Sequence, residues 1–275
     1  MGLVTLGGLV GVMMFWASRE EQPVYVWNVV SRSATFLSAN RLAIADDQRT
    51  IIVSFPTYQL IRELPAGGYL AASPDGLLLI VGAWGTVHLF DPERGDRIGT
   101  LDCWSHGENL YPIHLSFSPN GYILAVAESH HNRGPVVQLW DVVRQMQIGT
   151  VRIDEPDATV VKALAFSPDG RLVVSTYSEG VWLVNTAQQT VVRKIQSWPN
   201  EYIALRRDGS RVSLGEIALV RTFDTNTWQV MHEQHFDQQS KPSGPISRLF
   251  SMPVAISPDG KWLATPNRMP PRDSF

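Results

Sequence analysis

Ser73-Pro74-Asp75-Gly76, Ser118-Pro119-Asn120-Gly121, Ser167-Pro168-Asp169-Gly170 and Ser257-Pro258-Asp259-Gly260 are four copies of one short string. A degenerate copy, Arg206-Arg207-Asp208-Gly209, stands in the longest gap, and a weaker one, Ser38-Ala39-Asn40-Arg41, precedes them all. From Asp75 onward the third positions are spaced by 45, 49, 39 and 51 residues. Proline presets the backbone of an early turn position, and glycine accepts the left-handed one that follows. A short apolar run, such as HLSF or KALAF, precedes the copies, and a β-rich run, such as YILAVA, RLVVST or KWLAT, follows them. Each copy therefore reads as the turn of a hairpin.

A second string recurs out of phase with the first: Val87 to Asp91 (VHLFD), Val137 to Asp141 (VQLWD), Val181 to Asn185 (VWLVN) and Val220 to Asp224 (VRTFD). In a strand the first and third residues share a face, and the bulky fourth faces the opposite layer. The closing Asp or Asn is placed to cap the next turn, after which a further strand follows, such as RIGTL, QIGTV or VVRKI. Each period thus holds four short antiparallel strands and no helical periodicity. Such a unit cannot bury both of its faces alone, so units must stack side by side, and radial stacking gives a β-propeller. The expected fold is all-β, a propeller of about six four-stranded antiparallel blades, with seven as the alternative count. The last hairpin, Val254 to Thr265, is followed only by PNRMPPRDSF, whose prolines suit further pairing badly. The orphan strand Pro23 to Val30 is expected to complete that blade and close the ring.

The copies at Leu115 to Val151 and Ala163 to Ile195 resemble WD40 repeats, and Trp140-Asp141 is a literal WD dipeptide. The variants ending in FD and VN are similar to the related YVTN-like bacterial propellers. The resemblance covers about Leu37 to Thr265. It is specific for the fold and does not indicate a function.

Composition sets the outer limits. The chain has 275 residues, 44% hydrophobic and 18% charged, which is globular composition. Its net charge of −3 lacks the basic footprint that nucleic-acid binding needs. The single cysteine, Cys103, excludes an internal disulfide and a cysteine-cluster metal site. Only four of the 23 basic residues are lysines, a composition associated with GC-rich, bacterial genomes. Met1 to Ser18 carries no charge, and Gly7 and Gly11 have small-xxx-small spacing. That length reaches the lower bound of a membrane-spanning helix, yet no basic residue precedes it. Two readings stand: a signal or membrane anchor of an anchored or exported protein, or a buried strand pair with a glycine turn in a cytoplasmic one. The domain division is residues 1–18 as the apolar segment and 23–275 as the propeller.

No catalytic constellation is visible. There is no nucleophile elbow, zincin motif, P-loop or dinucleotide fingerprint. His232 and His235 have H-x-x-H form, but on a strand or turn residues three apart need not converge, and His130-His131 lies in a hydrophilic loop. No catalytic residue, metal or cofactor is expected. The loops say more. Connections between second and third strands share one end of a propeller with connections between blades. Eight such segments (82–86, 102–113, 128–135, 153–161, 177–180, 197–201, 215–220 and 237–252) carry a formal −7, against −3 for the whole chain. Tryptophan and tyrosine are favoured interface anchors, and carboxylates attract basic partners. The expected site therefore takes apolar contact from Trp84, Trp104, Tyr111 and Trp198, and charge from Glu108, Asp154, Glu155, Asp157 and Glu201. The functional expectation is a non-catalytic scaffold that binds a protein or peptide, preferably basic, through this face. It binds no nucleic acid, and membrane contact is confined to residues 1–18. The alternatives are a lactonase- or quinoprotein-like enzyme with a central-channel site, or a truncated propeller.

Overall fold

The structure, a computed structural model, describes residues 12–17, 23–28, 33–55, 57–83, 86–103, 112–128, 135–153, 161–176, 180–196, 202–205, 211–215, 219–225, 227–235, 255–256 and 262–267. Every regular element among them is a strand. Two strands come first, β1 (Val12–Ala17) and β2 (Pro23–Asn28). The first blade follows as β3 (Ser33–Ser38), β4 (Arg41–Ala45), β5 (Thr50–Ser54) and β6 (Leu60–Leu64). The second is β7 (Tyr69–Ala72), β8 (Leu79–Ala83), β9 (Thr86–Phe90) and β10 (Arg97–Leu101), and the third is β11 (Pro112–Phe117), β12 (Ile123–Glu128), β13 (Val136–Asp141) and β14 (Met146–Arg152). The fourth is β15 (Val161–Phe166), β16 (Leu172–Thr176), β17 (Gly180–Asn185) and β18 (Thr190–Gln196), and the fifth is β19 (Tyr202–Leu205), β20 (Arg211–Gly215), β21 (Leu219–Asp224) and β22 (Val230–His235). The last strands are β23 (Ala255–Ile256) and β24 (Trp262–Asn267).

Each of the five blades is an antiparallel sheet of four consecutive strands in sequence order. The count of about six, or seven, is thereby corrected to five blades of consecutive strands. The remaining strands form a composite sheet in the order β2-β1-β24-β23, which joins the two ends of the chain. The expected pairing of the Pro23 strand with the final hairpin is indirect, because β1 lies between them. It pairs with β24 from Val12↔Asn267 to Ala17↔Trp262 and with β2 on its other edge. Val12–Ala17 is thus a strand, residues 1–11 lie outside the described residues, and no helix among the described residues is long and apolar enough to cross a membrane. The first strand of each blade contacts the first strand of the next, and β23 touches both β19 and β3.

The faces that successive described blades turn toward each other are apolar because each is covered by its neighbour. Leu37, Ile52 and Leu64 of the first blade pack against Leu79, Val81 and Phe90 of the second. Leu89 and Leu101 of the second meet Phe117, Leu124 and Trp140 of the third. Leu139 and Val151 of the third meet Phe166, Leu172 and Val184 of the fourth, and Val173 and Leu183 of the fourth meet Val212, Leu214 and Phe223 of the fifth. The bulky fourth residue of the repeated VxLxD string follows one rule: Phe90, Trp140, Val184 and Phe223 each enter the cluster shared with the preceding blade. The third residue at Leu89, Leu139 and Leu183 enters the cluster shared with the following one. Pleat alternation, read along the strand, becomes alternation between blades.

Two outcomes test this architecture. Trp140→Ala removes a buried aromatic from the contact between the second and third blades and should cost roughly 3–5 kcal/mol in chemical unfolding; a cost near zero would show that the strand phase is wrong. Deleting residues 1–31 removes β1 and β2 and opens the edge of β24. The melting midpoint should then fall by an amount equivalent to several of the ~5–15 kcal/mol of a typical domain, and an unchanged midpoint would count against a stabilising role for the composite sheet.

Candidate functional site

The two ends of the blades are built differently. At the lower end, first strands turn into second strands and third into fourth, and these turns satisfy their own polar groups. The Ser73 hydroxyl donates to Asp75 and accepts the amide of Leu78, while the Asp75 carboxylate accepts the amide of Leu77. The Ser73 hydroxyl, then the Leu77 amide, hold the Asp75 carboxyl below its ordinary range. Ser118 with Asn120 repeats the arrangement, and Ser167 with Asp169 varies it. The turn from third to fourth strand is also shared. Ser54, Asp91, Asp141, Asn185 and Asp224 each cap it by accepting backbone amides within the next five residues. The fifth residue of each turn is left-handed: Tyr58, Gly95, Gln145, Gln189 and Trp228, with φ between 52° and 79°.

At the upper end, second strands lead to third strands and one blade leads to the next. All nine residues assigned to the site fall in upper-end segments outside the described residues. Trp84 follows β8; Trp104, Glu108 and Tyr111 follow β10; Asp154, Glu155 and Asp157 follow β14; Trp198 and Glu201 follow β18. What is described is the frame from which those segments leave. The carbonyl of Cys103 accepts the Gln138 side-chain amide at 2.9 Å, and Gln138 Oε1 accepts Trp140 Nε1 at 2.8 Å. A buried amide thereby ties the start of the 104–111 segment to the third blade. Trp182 Nε1 donates to Thr176 Oγ1 at 3.4 Å, at the end of the strand preceding 177–179.

The upper end also holds groups to which the sequence reading gave no role. The first blade's upper turn, Asp46 to Arg49, is closed by Asp46 Oδ1, which accepts the amides of Gln48 and Arg49, and Arg49 pairs with Glu63. Gly67 comes so close to this turn that a Cβ there would stand 2.4 Å from the Asp46 carbonyl. Deeper in, three successive inner strands bring Tyr69, His114 and Lys162 together. The rings of Tyr69 and His114 lie 5.5 Å apart at a 51° tilt. The His114 Nε2 is sealed from solvent and has no hydrogen-bond partner. Burial, reinforced by the positive charge of Lys162, lowers its pKa to about 3, so the imidazole is neutral near pH 7. Its position was legible only as a polar residue in the apolar run PIHLSF. Among the described residues, no three histidine, cysteine, aspartate or glutamate side chains gather as a metal site would require.

A family model described as WD domain, G-beta repeat matches residues 149–182, from within β14 through β15 and β16 into β17. The matched unit therefore straddles two blades, beginning on the outer strand of one and ending on the third strand of the next. No curated protein matches the chain. Among solved structures it is similar to Kuenenia stuttgartiensis hydrazine synthase, at 18% identity and a TM-score of 0.63 over 85% of this chain and 72% of that one. At that identity the likeness is one of fold.

The buried neutral His114 makes a pH prediction. Its folded pKa is depressed below the ordinary 6.5, so its contribution to stability is complete above about pH 6.5 and is lost as pH falls towards 3. Within that window the loss approaches ~1.4 kcal/mol per pH unit. His114→Leu should flatten the acid limb of a stability–pH curve measured by urea unfolding; an acid limb identical to that of the parent protein would refute it.

Proposed function

We propose that this chain, a β-propeller whose residues 149–182 match a WD domain, G-beta repeat, is a non-catalytic interaction module that holds a protein or peptide against the upper end of its blades. The observation that carries this reading is the contrast between the ends. The lower connections are short and consume their own hydrogen-bonding capacity in caps. The upper connections are more varied in length, from the short link between β8 and β9 to the long span between β22 and β23, and they contain the acidic and aromatic residues of the expected site. A rigid frame with variable loops at one end is the usual arrangement for recognition. On this reading the composite sheet is the blade that closes the ring, and the propeller takes in residues from Val12 onward. The partner is basic because the upper segments concentrate −7 of formal charge. A channel-centred enzyme is the second reading, favoured by the unpartnered His114 Nε2 beside Tyr69 and Lys162.

Affinity capture with the intact chain supplies the partner, and binding kinetics at two salt concentrations test the site. Neutralising Asp154, Glu155 and Asp157 together should slow association and flatten its salt dependence. Trp84→Ala or Trp104→Ala should instead speed dissociation, by about tenfold or more for the loss of a ~2 kcal/mol anchor. If neither class changes binding while substitutions in the lower turns do, recognition lies at the other end.

A further inference from the structure

Among the described residues, every large apolar side chain left exposed sits at the lower end of the blades or on the lower half of an outer strand. Five of them occupy one structural position. Near its lower end each blade's outer strand bulges against its third strand, where two consecutive pairings skip a residue; β18 bulges a second time, at Ile195, nearer its upper end. The residues skipped near the lower end are Ile61, Ile98, Ile148, Val192 and Met231, all between 43% and 54% exposed. A bulge on an outer strand has a purpose of its own, since it twists the edge away from pairing with another sheet. That purpose does not call for an apolar side chain, and a threonine or lysine would serve it equally well. An exposed aliphatic at all five positions needs a different account.

Equivalent positions in blades set around one axis lie near one plane, so the five knobs form an arc around the lower rim. Val143, Leu77 and Tyr122 carry the apolar surface onto the lower turns. Twelve such side chains are exposed in all, presenting on the order of 1,000 Å² against the ~800 Å² per partner of a standard stable interface. The charges between them are largely neutralised locally. Arg41 pairs with Glu93, Arg94 with Asp91, Arg144 with Asp141 and Arg171 with Asp169. This surface has neither the basic field that would hold an anionic bilayer nor the acidic field of the opposite end.

We propose that the lower face docks onto the lower face of a second copy of this chain. A flat, apolar and locally neutral surface is complementary to itself about a two-fold axis. The bulges exclude strand addition, so the copies meet face to face. This arrangement points both acidic upper ends outward, away from each other and free for partners.

Sedimentation velocity of the full chain alone, over a wide concentration range, tests the proposal without any upper-end partner. A concentration-dependent dimer is expected, with little sensitivity to salt. The double substitution Ile148→Asp with Val192→Asp should weaken it at least tenfold, about 1.4 kcal/mol. Both residues are exposed, so the circular dichroism and melting midpoint of the variant should match those of the parent. Ile98→Asp, on a different blade, should weaken it as well. A chain that stays monomeric at every concentration overturns the proposal, as does a dimer indifferent to all three changes. Co-sedimentation with neutral phosphatidylcholine vesicles forms the second arm: binding by a monomeric chain, lost in the double variant, would replace the second copy with a lipid surface.

Discussion

Burial between blades is the interaction on which everything else in this molecule depends. A sheet of four short strands cannot cover either of its faces, and here the second, third and fourth blades are apolar on both. In β16, Leu172, Val173 and Val174 are all buried, yet Val173 serves the cluster shared with the fifth blade while its two neighbours serve the one shared with the third. A strand is therefore stable only if the sheets on both sides are present. This explains why the two chain ends join in one sheet. Without β1 and β2, the pair β23–β24, which touches the first blade through β23 and β3, would have an open edge.

The same requirement accounts for the unusual backbone of the lower turns. Four non-glycine residues adopt left-handed angles at the fifth position of the turn from third to fourth strand. That conformation carries an intrinsic penalty, which persists only where the surroundings offset it. Contacts to the preceding blade supply the offset in two cases. The Gln189 amide donates to the Ile148 carbonyl and accepts the Thr150 amide, lying across Gly149 of the neighbouring outer strand. Gln145 lies in the same way across Gly99, where a Cβ would come within 2.6 Å of its side chain. Between the first two blades the sizes are exchanged: Gly95 takes the turn position and Arg62 reaches over it from the outer strand. Tyr58 and Trp228 instead pack into the apolar clusters. Three successive junctions thus set a large side chain over a glycine, with glutamine at two of them and arginine at the first.

The sequence disclosed what local chemistry controls. The Ser-Pro-Asp-Gly turns, the capping Asp or Asn and the alternation in VQLWD all depend on neighbours within a few residues, and each was read correctly in kind and in phase at Ser73, Asp141 and Trp140. The parts that depend on distant pairing were less legible. Val12–Ala17 belongs to an uncharged run whose length and composition suit a membrane helix as well as a buried strand; only its pairing with β24, some 250 residues away, decides between them. The blade count failed because six turn copies read as six blades, whereas five sheets hold four consecutive strands and the last hairpin contributes only two strands to a sheet in which Val12–Ala17, not the Pro23 strand, is its partner. The bulges at Ile98 and Ile148 are invisible in sequence because a bulge is a property of two strands, not of one. The nine residues of the expected site lie outside the described frame, so that part of the reading rests on the strand order that places their segments at one end.

The asymmetry between the ends has a consequence for how the molecule can change. A substitution in a lower turn meets a capping carboxylate, a left-handed residue or a neighbouring blade, and so acts on stability before it acts on anything else. Upper segments leave from anchored points, such as the Cys103 carbonyl held by Gln138, and their length is not constrained by the pairing below. Loop length costs little in free energy once the ends are fixed, because closure entropy grows only with the logarithm of length. The upper segments can therefore vary without disturbing the interblade clusters. The fold imposes strict rules on Trp140 and Gly149, each held by a neighbouring blade, which is the physical reason that a propeller is easy to recognise in this sequence and a function is not.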